Sequence, residues 1–261
     1  MKLGICASPK HAPLVKSLGY DYLEARFGWL ANMTEEEFRK ESALYERSPL
    51  TTEVFHFFFM GPVSLYAPNG DQSECLKDIA KRAELGFSRA AAWGGELAVL
   101  GSAYARRVPD TMTFEEADKQ FLRVLGVCGE AAERHGMKLL LEPLSTIECN
   151  YLHTVAECAA AAKRSGSSAV ATMVDFYHLL NNNDKLEALP ALADSIFHAH
   201  YARPGDRGIP REEDIPLLKS FAATLKQCKN VTRISLESDW APDFETAIKA
   251  ARPLLEVFKS V

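Results

Sequence analysis

Val170-Ala171-Thr172-Met173-Val174-Asp175-Phe176-Tyr177-His178 is the stretch from which the rest of the chain can be read. Its first five residues are apolar or β-branched, with no Gly or Pro among them. Ser165-Gly166-Ser167-Ser168 just before it is a turn signal, so the pattern predicts a short buried strand. That strand ends on a carboxylate, with an imidazole three residues on. A charged Asp at the end of an apolar run costs on the order of several kcal/mol to desolvate unless it is paired or holds a cation. Working outward means asking what the other segments bring to Asp175.

Strand-like and helix-like patterns alternate on both sides of it. Strands are predicted at 138–142, 96–100, 53–60, 21–26 and 2–7 on the N-terminal side, and at 196–201 and 233–237 on the other. Helices are predicted between them at 11–18, 35–47, 73–91, 113–135, 154–164, 185–192, 211–226 and 242–258, with Thr34 as an N-cap. Eight such alternations in 261 residues match the length of a (β/α)8 barrel. A doubly wound sheet is the competitor, but no G-x-G-x-x-G follows the first strand. No linker or composition shift divides the chain. The expectation is α/β: a single TIM-barrel domain over 1–261.

Composition bounds the function. Apolar residues make up 47% and charged residues 25%, enough for a core and a soluble surface, and the net charge is −5. A nucleic-acid surface normally shows a basic face, so no nucleic-acid partner is expected. No apolar run reaches the roughly 18 residues of a membrane span. The opening Met1-Lys2-Leu3-Gly4-Ile5-Cys6 is too soon broken for a signal peptide. The six cysteines are scattered without a C-x-x-C pair, which fits free thiols and a cytoplasmic location.

In a barrel of this kind, reacting groups sit at the C-terminal ends of strands and face the axis. Alternation with period two puts Lys138, Leu140 and Glu142 on one face, then Ala171, Met173 and Asp175, then Ile196, His198 and His200, then Arg233, Ser235 and Glu237. Four consecutive strands thus end in Glu, Asp, His and Glu, with no equivalent cluster of Lys or Arg beside them. Carboxylates packed together repel unless a cation sits between them. Three oxygen donors and one imidazole suit Mn²⁺, Mg²⁺ or Zn²⁺.

The segments Leu141-Glu142-Pro143-Leu144, Val174-Asp175-Phe176-Tyr177-His178, His198-Ala199-His200 and Ser235-Leu236-Glu237 resemble the xylose-isomerase-like TIM-barrel superfamily. They are most similar to its sugar isomerase and epimerase branch, the ketose 3-epimerases and hydroxypyruvate-isomerase-like proteins. In the N-terminal half the resemblance rests on strand order and on Leu100-Gly101-Ser102 with Arg106-Arg107-Val108-Pro109. It implies one divalent metal held by Glu142, Asp175, His200 and Glu237, and a small carbohydrate substrate contacted by Glu148 and His178. The family's Arg lands near Arg207, offset by one residue where Asp206 stands. Homo-oligomers are common in this superfamily, though no interface is legible.

Epimerising or isomerising a keto sugar removes a proton beside a carbonyl and returns one elsewhere. Glu142 and Glu237 are the expected pair of bases. Lyase or dehydratase chemistry on a related polyol is an alternative within the superfamily, and so is a barrel that binds metal and sugar without turnover. Endonuclease-IV-type phosphodiesterases also resemble the chain at these positions. They need further His ligands where this sequence has Leu100-Gly101-Ser102 and Asp206-Arg207-Gly208.

Other residues carry weaker expectations. His198 reads as a neighbour of the ligand set or as barrel filling. Trp29 and Trp240 are candidate pocket walls or rim packing, and Phe57-Phe58-Phe59 reads as core. Arg106, Arg107 and Arg207 are candidate anion binders, and His56 has no evident partner.

Overall fold

The computed structural model describes residues 1–260. Eight parallel strands close a barrel in chain order. They are β1 (Lys2–Cys6), β2 (Tyr22–Arg26), β3 (Thr51–His56), β4 (Leu97–Leu100), β5 (Lys138–Leu141), β6 (Val170–Asp175), β7 (Ile196–Tyr201) and β8 (Arg233–Leu236). Closure comes from β8 pairing onto β1, with Lys2 opposite Arg233.

The helices begin where the sequence carries caps. Thr34, Thr113 and Thr154 each accept from the backbone three residues on, and Glu37, Glu116 and Glu157 reach back to complete capping boxes. Proline edits the remainder. The predicted helix at 211–226 starts only at Ile215, with Pro216 in its first turn, and the closing helix is split into Phe244–Ala251 and Leu254–Lys259 around Pro253. Leu186–Leu192 winds as a tighter 3-10 turn, with Pro190 inside it. Short helices not expected from periodicity, Phe27–Asn32, Ala103–Arg106 and Phe176–Asn181, follow β2, β4 and β6. Among the described residues no helix is long and apolar enough to cross a membrane.

The barrel interior is layered by polarity. At its N-terminal mouth Lys2 Nζ lies 2.6 Å from Glu53. Arg233 reaches Glu53 at 3.0 Å and Glu96 at 2.6 Å. Above these, Tyr22, Val54, Leu97, Val99, Leu140, Ala171 and Met173 fill the axis. The acidic residues crown the C-terminal end. A bottom of ion pairs and a dry middle leave one end of the axis for chemistry.

The predicted facing holds on β5, β6 and β8 and needs correcting on β7. The β6–β7 register shifts between Thr172 and Val174. This bulge sends Ile196 into the outer core, while Phe197 packs against the axial cluster. His198 and His200 stay inside, both fully buried.

Gly4 marks a close approach on β1, since a methyl group there would overlap the ring of Tyr22. That ring is fully buried and tied by its hydroxyl to Ser235 Oγ at 2.7 Å, so it has little room to move. Gly4→Ala is expected to destabilise the fold by about 1–3 kcal/mol through overpacking. Urea unfolding should show a lower midpoint at unchanged slope. An unaltered midpoint would mean that the axis is looser than drawn.

Candidate functional site

The ends of β5 to β8 bring four side chains together. Glu142 and Glu237 each stand one residue past their strands and extend the ladder, donating their N–H groups to Leu100 O and Tyr201 O at 3.2 Å. Asp175 ends β6 opposite His200. One ligand-type atom from each of Glu142, Asp175, His200 and Glu237 lies within 4.8 Å of every other. His200 Nδ1 is 3.2 Å from Glu237 Oε2, 3.4 Å from Glu142 Oε1 and 3.8 Å from Asp175 Oδ2.

Hydrogen bonding fixes which atoms face the centre. Asp175 Oδ1 caps the helix Phe176–Asn181 by accepting from His178 N at 3.0 Å, which leaves Oδ2 for the site. His178 Nδ1 accepts from Ser145 N at 2.9 Å, so the ring's other nitrogen is its donor. Glu142 Oε1, Asp175 Oδ2, His200 Nδ1 and His178 Nε2 are buried without a hydrogen-bond partner. Buried polar atoms are rarely left so, and two carboxylate oxygens beside an imidazole nitrogen present only lone pairs to one another unless a proton or cation intervenes. The donor set fits a hard or borderline divalent ion.

Behind this quartet stands a residue not picked out from the sequence, Glu24 of β2. It is fully buried. Its carboxylate accepts from His200 Nε2 at 2.9 Å and from His198 Nε2 at 3.1 Å, with His56 Nδ1 3.6 Å away. A carboxylate on Nε2 fixes the tautomer that turns Nδ1 of His200 toward the acids. The signal was present: Glu24 interrupts an apolar strand and shares a face with Tyr22. It also supplies His56 with its neighbour. Cys6 of β1 lies beside these groups, its sulfur within 4.8 Å of atoms of His56 and Glu237.

Burial and charge split the acids. Burial pushes the Glu142 carboxyl above its usual range, and the nearby His200 imidazole only partly offsets that. Burial would do the same to Glu237, but Arg207 and His200 hold it well below the usual range. Glu24 is likewise held far down by His200 and His198 against its own burial. Burial alone would lower the His200 imidazole, yet Glu24 and Glu237 raise it well above its ordinary value.

Arg207 joins the acid cluster as a single cationic side chain. Despite the offset, its guanidinium reaches Glu237 at 2.6 Å, Glu148 at 3.3 Å and Asp175 at 3.7 Å, over the ring of Tyr177. This is how Glu148 joins the site. Three buried carboxylates, Glu24, Glu142 and Asp175, and the partly buried Glu237 still face a single guanidinium. Arg106, by contrast, is fully buried and donates to the carbonyls of Leu100, Glu142 and Leu152, so it ties β4 to β5 rather than meeting an anion. Arg107 is largely exposed near Glu148 O.

Gly101 allows Glu142 its place. A methyl group at Gly101 would overlap Glu142 Oε2, the movable end of that side chain. Gly101→Ala is therefore expected to leave stability nearly unchanged while weakening Mn²⁺ binding at the quartet by about tenfold or more. Side chains moved by about 1 Å lose effects of up to roughly 10²-fold. Calorimetric Mn²⁺ titration alongside urea unfolding checks this. Wild-type affinity in the variant would place Glu142 outside the ligand set.

A cleft of about 540 Å³ opens beside the quartet, and Arg26, Trp29, Phe57, Arg207, Glu237 and Trp240 are among the residues lining it. Glu142, Asp175 and His200 do not line it, but Glu237 and Arg207 do, together with Cys6, Glu24 and His56. Phe58 and Phe59 are core as expected, whereas Phe57 is 46% exposed and turned into the cleft.

The family model for the xylose isomerase-like TIM barrel matches residues 12–260. The chain therefore belongs to the xylose isomerase-like TIM barrel family. No curated protein matches it in sequence. Among solved structures, it is similar to a 3-keto-D-glucoside 4-epimerase from E. coli, with TM-score 0.75 and 19% identity over all of both chains. It is also similar to a D-psicose 3-epimerase from Clostridium cellulolyticum H10, with TM-score 0.78 and 16% identity over 100% of this chain and 99% of that one. A family 2 AP endonuclease from Brucella melitensis has TM-score 0.74 and 16% identity over 97% and 99%. At these identities the likeness speaks to the fold.

Proposed function

We propose that this protein is a divalent-cation-dependent isomerase or epimerase of a keto sugar or sugar derivative. One observation carries the reading: two glutamates, Glu142 and Glu237, from strands on either side of β6 and β7, converge with Asp175 and His200 on one small polar centre. Those four would hold the ion, which when bound draws charge from the substrate's carbonyl and adjacent hydroxyl. Glu142 and Glu237 would flank the carbon beside the carbonyl, one taking its proton and the other returning one. His178, with its free Nε2 donor, and Arg207 with Glu148 would bind the remaining substrate oxygens. The epimerases among the structural neighbours are consistent with this choice.

The phosphodiesterase reading has less to rest on. Ser102 follows β4 where that reading needs an imidazole, and His56 of β3 turns toward Glu24. The test is incubation of the Mn²⁺-loaded protein with a panel of ketoses and hydroxy-keto acids in D₂O. Deuterium entering beside the carbonyl is the expected result. Loss of water would move the protein to the dehydratases, and inertness across a broad panel would leave a binding barrel.

A further inference from the structure

We infer a second cation site at the floor of the cleft, in which Cys6, His56 and Glu237 hold a borderline divalent ion of the Zn²⁺ class. The barrel builds it from the ends of β1, β3 and β8, whereas Glu142, Asp175 and His200 come from β5, β6 and β7. On β1, alternation puts Lys2, Gly4 and Cys6 on the inward face, and the pairing of Ile5 with Leu236 sets Cys6 next to Glu237. β2 links the other two ends, with Glu24 opposite Cys6 and Arg26 opposite His56. One ligand-type atom from each of Cys6, His56 and Glu237 lies within 4.8 Å of the others. Glu237 belongs both to this trio and to the quartet, so two ions would share its carboxylate.

The trio has donors to spare. Cys6 is 7% exposed and His56 6%. His56 Nδ1 is buried without a hydrogen-bond partner, because Glu24 Oε1 stands 3.6 Å away and already accepts from His200. A buried imidazole is rarely left so. The thiol sets this site apart from the quartet in chemistry. A thiolate beside an imidazole and a carboxylate selects Zn²⁺ or Co²⁺, whereas the oxygen-rich quartet also accepts the harder Mn²⁺ and Mg²⁺. Coordination would release the thiol proton to solvent. Three protein donors leave one position of a four-coordinate ion open, and Cys6, His56 and Glu237 all line the cleft. A water or a substrate oxygen would complete the shell from there. The site rests on strand geometry and donor chemistry, and it stands whether or not the substrate is a keto sugar.

Titrating Co²⁺ into the Mn²⁺-saturated protein tests the site, read by thiolate-to-cobalt charge-transfer absorption in the near ultraviolet and by metal content after gel filtration. The expected result is a saturable charge-transfer band with about two bound metals per chain. Cys6→Ser should abolish the band and leave about one metal per chain. His56→Ala should weaken Co²⁺ binding at least about tenfold, since even residues that only orient a metal ligand are worth that much. Cys75→Ser, altering a partly exposed thiol outside the cleft, should change neither readout. Absence of the band, a band that survives in Cys6→Ser, or wild-type Co²⁺ affinity in His56→Ala would each overturn the site. Far-ultraviolet circular dichroism checks the fold of Cys6→Ser, and His56→Ala decides alone should that variant unfold. Deuterium exchange on ketoses keeps the two ideas apart. Exchange without the band removes this site alone, and the band without exchange removes the proton-transfer reading alone.

Discussion

Glu142→Gln and Glu237→Gln are each expected to lower turnover by roughly 10²–10⁴-fold, the usual contribution of a general acid or base. Each substitution keeps volume and hydrogen-bonding shape but removes the lone-pair chemistry that accepts a proton. The two should differ in one respect. Glu237 carries the Arg207 contact at 2.6 Å, so its loss frees that guanidinium as well, and substrate affinity should fall along with rate. Glu142 has no such partner, its Oε1 lacking any hydrogen bond, and its replacement should act mainly on rate and on cation affinity. Solvent-deuterium incorporation under saturating ketose, run beside a Mn²⁺ titration, separates these effects. Wild-type exchange in either variant would strip that residue of its role.

Removing the carboxylate of Glu24 should have the second large effect. Glu24→Leu leaves the Nε2–H donors of His198 and His200 buried and unpaired, at about 1–3 kcal/mol each. It also frees the His200 ring to turn, and carboxylates that orient a ligating histidine are worth about 10–100-fold in metal affinity. Glu24→Gln retains one acceptor oxygen and should fall between. Urea unfolding and Mn²⁺ titration read the two effects independently. If Glu24→Leu binds Mn²⁺ as tightly as the parent protein, the carboxylate is packing and nothing more.

Much of this was legible because the signals are local. The alternation of short apolar runs with capped helices announces a parallel barrel, and Thr34, Thr113 and Thr154 mark helix starts that the structure keeps. Glu142, Asp175, His200 and Glu237 could be placed on one inward face by counting in twos. Other features were not local. The β7 bulge that exchanges Ile196 for Phe197 depends on how β6 and β7 register. Pro253 and Pro190 reshape helices that hydrophobic spacing alone would run straight through.

What the sequence determined unaided is the barrel and the identity of the acids at its last four strand ends, since both follow from period, caps and residue type along the chain. Tertiary structure alone decided that Glu24, from the opposite side of the barrel, supports His198 and His200 across 174 and 176 residues of chain. It also decided that Arg207 turns inward onto Glu237, Arg106 onto backbone carbonyls, and Phe57 away from the core. The physical reason is common to all of them. Each choice is made by a partner that closure of the barrel brings within a few ångströms, and spacing along the chain carries no trace of that distance.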